Sequence, residues 1–508
     1  MKWFSLLSYA NQKHRQKVLN GMTFFFHYFT LNHLSRKLSK RRRRRRRSMR
    51  PFSQTTKKPS SLAAAAAAAC TTIMDLPGPI LIDILSRLPF KSISDSRCVC
   101  TTWRSLVSDP LFASMHLARA QTLEVLLHPK SVGCASTTLH WVDLDCIFKT
   151  APPVDRNERR ETKLNTKFYL PLPGCNIERK CLKENTNSRR SSLMDQYGIV
   201  NSCNGLLCLS KPIYNNPRII CNPLTGEYVR IPKSQGDDMF LGPVIPGFGY
   251  SQRSNKYKVV RSVCQPENMF QTMAEVYTVG TASWRSIGCA PFDLGLALFT
   301  TYLNGVVHWV SDTASGPVVI VAFDFEEEQF SVISLPPHFG ETHKERENLH
   351  NMNMGVLGGC LSVCDVTFWD HFDIWVMKEY GDPTSWTKEH VICAHSGCLH
   401  RPIKFLENGD ILMIYNKAEL VAYSPVEGYF RYLKIDGILA VFEAITHVPS
   451  FVPLADAVMG DHLNVQNIKA SCSEREVSEG TETLFLVEQG KPRSTSKSSL
   501  LWAVGDEE

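Results

Sequence analysis

Apolar positions follow two regimes along this chain. Between Asp75 and Ala118 they recur at helical spacing; after Ala120 they alternate or run in short segments. Pro77 and Pro79 are tolerated only at a helix start, Asp75 is placed to cap it, and Pro89 ends it. That predicts a helix over Pro79–Leu88. On a helical wheel Asp83, Ser86 and Arg87 share about 100° of arc, and Ile80, Leu81, Ile84, Leu85 and Leu88 cover an adjoining arc of about 200°. One neighbouring helix cannot cover so much apolar surface, so a larger core or a partner must bury the remainder. A second short helix is predicted after Ser92, with Ser94-Asp95-Ser96 weakening it. A third carries Trp103, Leu106 and Val107 and breaks at Asp109-Pro110. Val99 and Trp103 lie four apart and share a face. Three short helices sit near the lower size limit for independent stability, which points to a module completed by docking.

After Ala120, segments such as Leu123–Leu127, Gly205–Leu209, Val306–Val310, Phe372–Met377 and Asp410–Tyr415 read as strands bounded by Gly, Pro, Asn and Asp. They recur in two series. A turn followed by an apolar strand appears at Asn204-Gly205, Asn304-Gly305, Gly358-Gly359 and Asn408-Gly409, with starts 100, 54 and 50 residues apart. A turn followed by an aromatic appears at Tyr228, Trp284, Phe330, Trp386 and Phe430, spaced 56, 46, 56 and 44. Both series fit a unit of about 50 residues if the first interval of the former spans two units. Sheets with that repeat must stack around an axis to bury their faces, as propeller blades do. Residues 121–450 have room for six or seven units; an irregular β-sandwich is the competing reading.

The helical segment resembles an F-box. The match is carried in order by Leu76-Pro77, Ile84-Leu85, Arg87-Leu88-Pro89, Ser92, Cys98-Val99-Cys100, Trp103-Arg104, Leu106, Asp109-Pro110 and Phe112. The β region resembles the F-box-associated, kelch-like domain of plant F-box proteins through GIVNSCNGLLCLS (198–210), CNPLTGEYVRIP (221–232), LNGVVHWV (303–310) and FDFEEEQFSVISLP (323–336). Strict kelch blades carry a double glycine, which only Gly358-Gly359 supplies. The resemblance implies docking on the Skp-type adaptor of a Skp–cullin–F-box (SCF) ubiquitin ligase and, through it, on cullin. It implies that Leu76, Pro77, Ile80, Ile84, Leu85, Leu88, Pro89, Val99 and Trp103 sit at or just behind that interface. The β domain would then hold a target protein, which the sequence does not identify.

Composition changes the picture mainly at the ends. The net charge is +8, yet residues 1–73 hold 17 of the 57 Lys and Arg and none of the 49 Asp and Glu, leaving −9 for the remainder. Basicity therefore belongs to a leader, with its Lys40–Arg47 run, and does not mark the folded part as a nucleic-acid binder. The leader reads as a disordered extension without a role of its own, a nuclear-import signal or an organelle transit peptide. The expected location is nucleus or cytoplasm, with organelle import the weaker reading. No stretch reaches the ~18–20 apolar residues of a membrane span. The 17 Cys form no disulfide framework and read as free thiols. Residues 150–196 read as a charged insertion and 451–508 as a largely disordered polar tail.

Candidate chemistry is sparse. His390, Cys393, His395, Cys398 and His400 are metal-ligand types within eleven residues, but no second close pair completes a zinc module. They are read as part of a blade strand and loop, and the alternative of a propeller enzyme would need them; a second alternative is an F-box scaffold acting without cullin. Glu326-Glu327-Glu328 reads as a solvated turn and the tryptophans as blade core. The expectation is an α+β multidomain chain: disordered extension 1–73, a three-helix F-box at 74–120, an all-β propeller-type domain at 121–450 and a tail. It is expected to be non-catalytic, without cofactor or membrane.

Overall fold

The computed structural model describes residues 76–119, 124–129, 138–142, 159–163, 167–170, 197–211, 215–234, 244–264, 272–290, 297–311, 318–337, 352–365, 370–393, 400–416, 419–436, 441–458 and 464–468. The basic leader lies outside these residues, as do most of the 150–196 insertion and the tail after 468.

Four helices open the described chain: α1 (Gly78–Leu85), α2 (Phe90–Ser96), α3 (Thr101–Val107) and α4 (Pro110–Arg119). The sequence suggests three. Pro110 does stop α3, but it also opens α4: proline suits a first helical position, and the Asp109 carboxylate takes the Leu111 N–H at 2.8 Å. Helix α1 ends at Leu85 rather than Leu88, and α2 runs through Ser94-Asp95-Ser96 despite its composition. Ser94 and Ser96 are buried there, and the Ser96 hydroxyl donates to Ile93 O at 2.6 Å. Tertiary packing outweighs weak helix propensity in this segment.

The rest is a six-bladed propeller of antiparallel sheets. The N-terminal strands are β1 (Glu124–Pro129), β2 (Thr138–Val142), β3 (Arg159–Lys163) and β4 (Lys167–Tyr169). Blade 2 contains β5 (Gly198–Cys203), β6 (Leu206–Ser210), β7 (Pro217–Asn222) and β8 (Glu227–Arg230). Blade 3 contains β9 (Val244–Ser251), β10 (Lys256–Cys264), β11 (Thr272–Thr278) and β12 (Arg285–Cys289). Blade 4 contains β13 (Ala297–Leu303), β14 (Val306–Ser311), β15 (Val319–Asp324) and β16 (Gln329–Ser334). Blade 5 contains β17 (Met352–Leu357), β18 (Cys360–Asp365), β19 (His371–Met377) and β20 (Trp386–Cys393). Blade 6 contains β21 (His400–Phe405), β22 (Ile411–Tyr415), β23 (Glu419–Ser424) and β24 (Tyr429–Asp436). Last come β25 (Phe442–His447), the short helix α5 (Leu454–Ala457) and β26 (Gln466–Asn467).

Blade 1 is built from both ends of the domain: β25 pairs antiparallel with β1, Glu124 opposite His447 and Pro129 opposite Phe442, and the sheet runs β25-β1-β2-β4. That pairing closes the ring. Innermost strands neighbour one another in the order β25, β5, β9, β13, β17, β21 and back to β25. Two blades gain a fifth strand from elsewhere. β3, inside the segment read as an insertion, pairs parallel with β24 of blade 6, and β26 pairs with β8 of blade 2. Part of the segment read as tail is likewise folded: Phe451, Leu454, Val458 and Ile468 are buried.

Both sequence series have a structural meaning. The turn-plus-apolar-strand motif is the hairpin from innermost to second strand, and the missing repeat is the Gln252–Asn255 turn of blade 3. The turn-plus-aromatic motif marks the fourth strand of blades 2 to 6. In two blades its tryptophan staples the blade before: Trp284 Nε1 donates to Pro232 O at 2.8 Å and Trp386 Nε1 to Ser334 O at 2.9 Å. Asn201 supplies a further tie between blades 2 and 3, donating to Phe248 O (2.7 Å) and accepting from Phe248 N–H (2.9 Å).

Candidate docking face of the helical module

Helix α1 divides its apolar arc. Leu81 and Leu85 turn inward and join Leu88, Phe90, Ile93, Trp103, Val107 and Phe112 in a buried core. That core does not stop at the module. It continues into Trp141 and Phe168 of blade 1, Leu207 and Ile219 of blade 2, and Phe451 beyond β25. Phe90 meets Trp141 with ring centroids 3.8 Å apart, and His116 of α4 sits between Phe112 and Phe451. Burial holds the His116 imidazole below its ordinary pKa. The larger core demanded by the apolar arc is therefore the propeller itself.

The other side of α1 remains open. Ile80 and Ile84, one turn apart, are half-buried, with Pro77 exposed at one end of the helix and Pro89 exposed beyond the other. Leu76 and Val99 are also half-buried, packed against the edge of the inner core. Of the nine residues assigned to the adaptor interface, then, these six reach the surface, whereas Leu85, Leu88 and Trp103 lie inside the module, Trp103 only 1% exposed. The polar arc of α1 has its own task. Asp83 accepts from Arg87 (3.0 and 3.2 Å) and pairs with Arg119 of α4 at 2.8 Å. The hydrogen bond from Arg87, joined by Arg119, holds its carboxyl below the usual range against the opposing pull of burial. The Cys100 side chain caps α3, its sulfur accepting the Trp103 N–H at 3.4 Å.

The module packs at the propeller end that carries the tight hairpins: Leu224, in the β7–β8 turn, belongs to the shared core, and Ser450 lies against the Gly205 turn. The fourth strands β8 and β20 finish at the opposite end; 13 residues separate β8 from β9 and six separate β20 from β21. His395 and Cys398 fall in the latter, outside the described residues, as does the side chain of His400. His390 lies on β20 against Phe405, and Cys393 is exposed at the end of that strand. Among the described residues no three His, Cys, Asp or Glu side chains form a group that could hold a metal. Trp309 and Trp386 are buried, Trp284 and Trp375 are covered by cations, and Trp369 lies outside the described residues.

Residues 165–442 match the model of the F-box associated beta propeller domain, more than half of the chain. The chain belongs to this family. Residues 73–118 match the F-box-like model, which covers the four helices. Among its relatives in Arabidopsis thaliana, this family member is 29% identical to an F-box protein over 73% of this chain and 90% of that one. It is 26% identical to an F-box/kelch-repeat protein over 74% and 95% of the respective chains. It is 25% identical to the F-box protein CPR1 over 81% and 95%.

Proposed function

We propose that this chain is the substrate-recognition subunit of an SCF-type ubiquitin ligase. The α1 stripe docks on a Skp-type adaptor, which links the chain to cullin, and the propeller holds a target protein. The observation that carries this reading is the split of α1: one face is fused into the propeller, and the other presents Ile80 and Ile84 at the surface of an F-box. The propeller end away from the helices, with its long connections, suits the target, since loops on a rigid scaffold carry recognition. The chain does no bond chemistry in this role; it raises the effective concentration of target lysines near the ubiquitin-carrying enzyme. The proposed setting is the nucleus or cytoplasm.

The test uses residues that the fold can spare. Ile80→Asp with Ile84→Asp should weaken binding of purified Skp-type adaptor by about 2–4 kcal/mol while the unfolding midpoint stays close to that of the parent. Undiminished adaptor binding by that folded double variant would sink the proposal. Trp103→Ala is the poorer probe, because opening a cavity under a buried indole costs about 3–5 kcal/mol of stability and removes the docking face with the fold.

A further inference from the structure

The corner between α2 and α3 holds an uncompensated pair of cations. Arg97 closes α2 half-buried. Its Nε is sealed from solvent without an acceptor among the described residues. Its charged neighbour is Arg104 on α3, whose Nε donates to Arg97 O at 3.2 Å. Burial, and then the like charge of Arg104, disfavour the Arg97 cation and outweigh the favourable influence of Cys98, and no carboxylate among the described residues joins Cys98 in opposing them. One turn earlier on the same face of α2, the Ser94 hydroxyl is also buried without a partner among these residues. Two acidic side chains of the module are engaged elsewhere: Asp83 with Arg87 and Arg119, and Asp109 with the start of α4.

A half-buried cation beside a like charge costs stability unless an anion completes it. The surroundings are open to a partner: Cys98, Thr101, Thr102 and Arg104 are exposed, and the half-buried Val99 lies between the two arginines in the chain. α3 also packs against α1, the helix that carries Ile80 and Ile84. From this geometry we infer that Arg97 and Arg104 form a carboxylate seat at the edge of the docking face, filled by an acidic side chain of the adaptor. The inference rests on the adaptor reading above and refines it: Ile80 and Ile84 provide apolar contact, and the arginine pair fixes register. A planar fork that meets a carboxylate with two N–H bonds is suited to that task.

The test is calorimetric titration of the full chain with purified Skp-type adaptor at several salt concentrations. Arg97→Met keeps the apolar stem and removes the charge; Arg104→Gln removes its neighbour. The double variant should bind adaptor about tenfold or more weakly and with a flatter salt dependence, while its unfolding midpoint is unchanged or raised. A merely structural Arg97 would instead lower the midpoint. One acid-to-amide change on the adaptor should weaken the parent complex and have no further effect on the double variant. Unchanged affinity and salt slope in the double variant would overturn the seat while leaving the adaptor reading intact. Failure of the parent chain to bind adaptor would overturn both.

Discussion

Gly205 shows how much one position can carry. It follows Asn204 in the hairpin from β5 to β6, with φ of +45° and +83° at the two residues, the type I′ geometry whose twist matches the flanking strands. Asn and Gly tolerate that region where other residues are strained. Position 205 has a second constraint. A Cβ there would lie 2.1 Å from Ser450 Cβ and 3.1 Å from the Val448 carbonyl, because the chain after β25 runs across this turn. Gly359 has nearly the same backbone (φ +82°), but a methyl added there would meet nothing within 4 Å. Gly359→Ala should therefore cost only the backbone strain, about 1 kcal/mol, and Gly205→Ala about 2–3 kcal/mol because it also pushes the C-terminal segment away. Thermal unfolding of both variants checks this, and equal losses would show that the segment yields freely.

Between elements, the blades are tied by polar contacts that a sequence reading does not reveal. The three glutamates after Phe325 read as a solvated turn; they do form a turn, with Glu327 exposed, but the structure adds ion pairs to it. Blade 3 reaches across to them: Lys258 pairs with Glu328 at 2.9 Å, Arg285 also pairs with Glu328, and Arg253 meets Glu326 and Glu327 at 3.3 and 2.8 Å. Lys258 is buried and donates to Phe325 O at 2.8 Å. Burial alone would raise the Glu328 carboxyl, but the hydrogen bonds and charges of Lys258 and Arg285 win, and its pKa is lowered. A carboxyl lowered on folding stabilises the native state above its unfolded pKa, and that contribution is lost as pH falls through the folded value. Glu328→Gln should cost roughly 1–3 kcal/mol at neutral pH, leaving Lys258 underpaired, and the gap to the parent should close as pH falls through the lowered value of the Glu328 carboxyl. Unfolding midpoints of the two proteins across pH measure it; a gap that persists in acid would assign the loss to packing instead. What was legible in the sequence is what repeats locally. Hairpins such as Asn304-Gly305 and fourth-strand aromatics such as Trp386 recur because each blade needs them. Blade 1 was not legible, because β25 is far in sequence from β1, and β3 and β26 were hidden because a short edge strand has no period of its own. On α1 the wheel showed an excess of apolar surface, but only the fold could tell Leu81 and Leu85 from Ile80 and Ile84.

At the scale of the whole molecule, the helical module and the propeller share one core, and the segment after β25 fastens them. Asn222 donates to the carbonyls of Ser450 (2.9 Å) and Val452 (3.0 Å), Leu454 N–H donates to Glu227 at 2.7 Å, and Ile468 N–H to Gly226 O at 2.9 Å. Phe451 fills the space between this strap and His116 of α4. A chain built this way holds the open face of α1 and the far propeller end in fixed relation, because any hinge between them would have to open buried apolar surface. The buried, neutral His447, whose Nδ1 lies 2.9 Å from the Ser202 hydroxyl, closes the ring in the same region; burial takes its pKa to about 3. Because the unfolded chain takes up that proton near pH 6.5, acid weakens this region progressively from there downward. Phe451→Ala should cost about 3–5 kcal/mol. If module and propeller are one cooperative unit, that loss appears in both: hydrogen exchange should quicken in α4 and in β7 and β8 together, and unfolding should remain a single transition with a lower midpoint. Faster exchange confined to α4, with a separate early transition, would show instead that the helices ride on the propeller as an independent body, free to move relative to its far end.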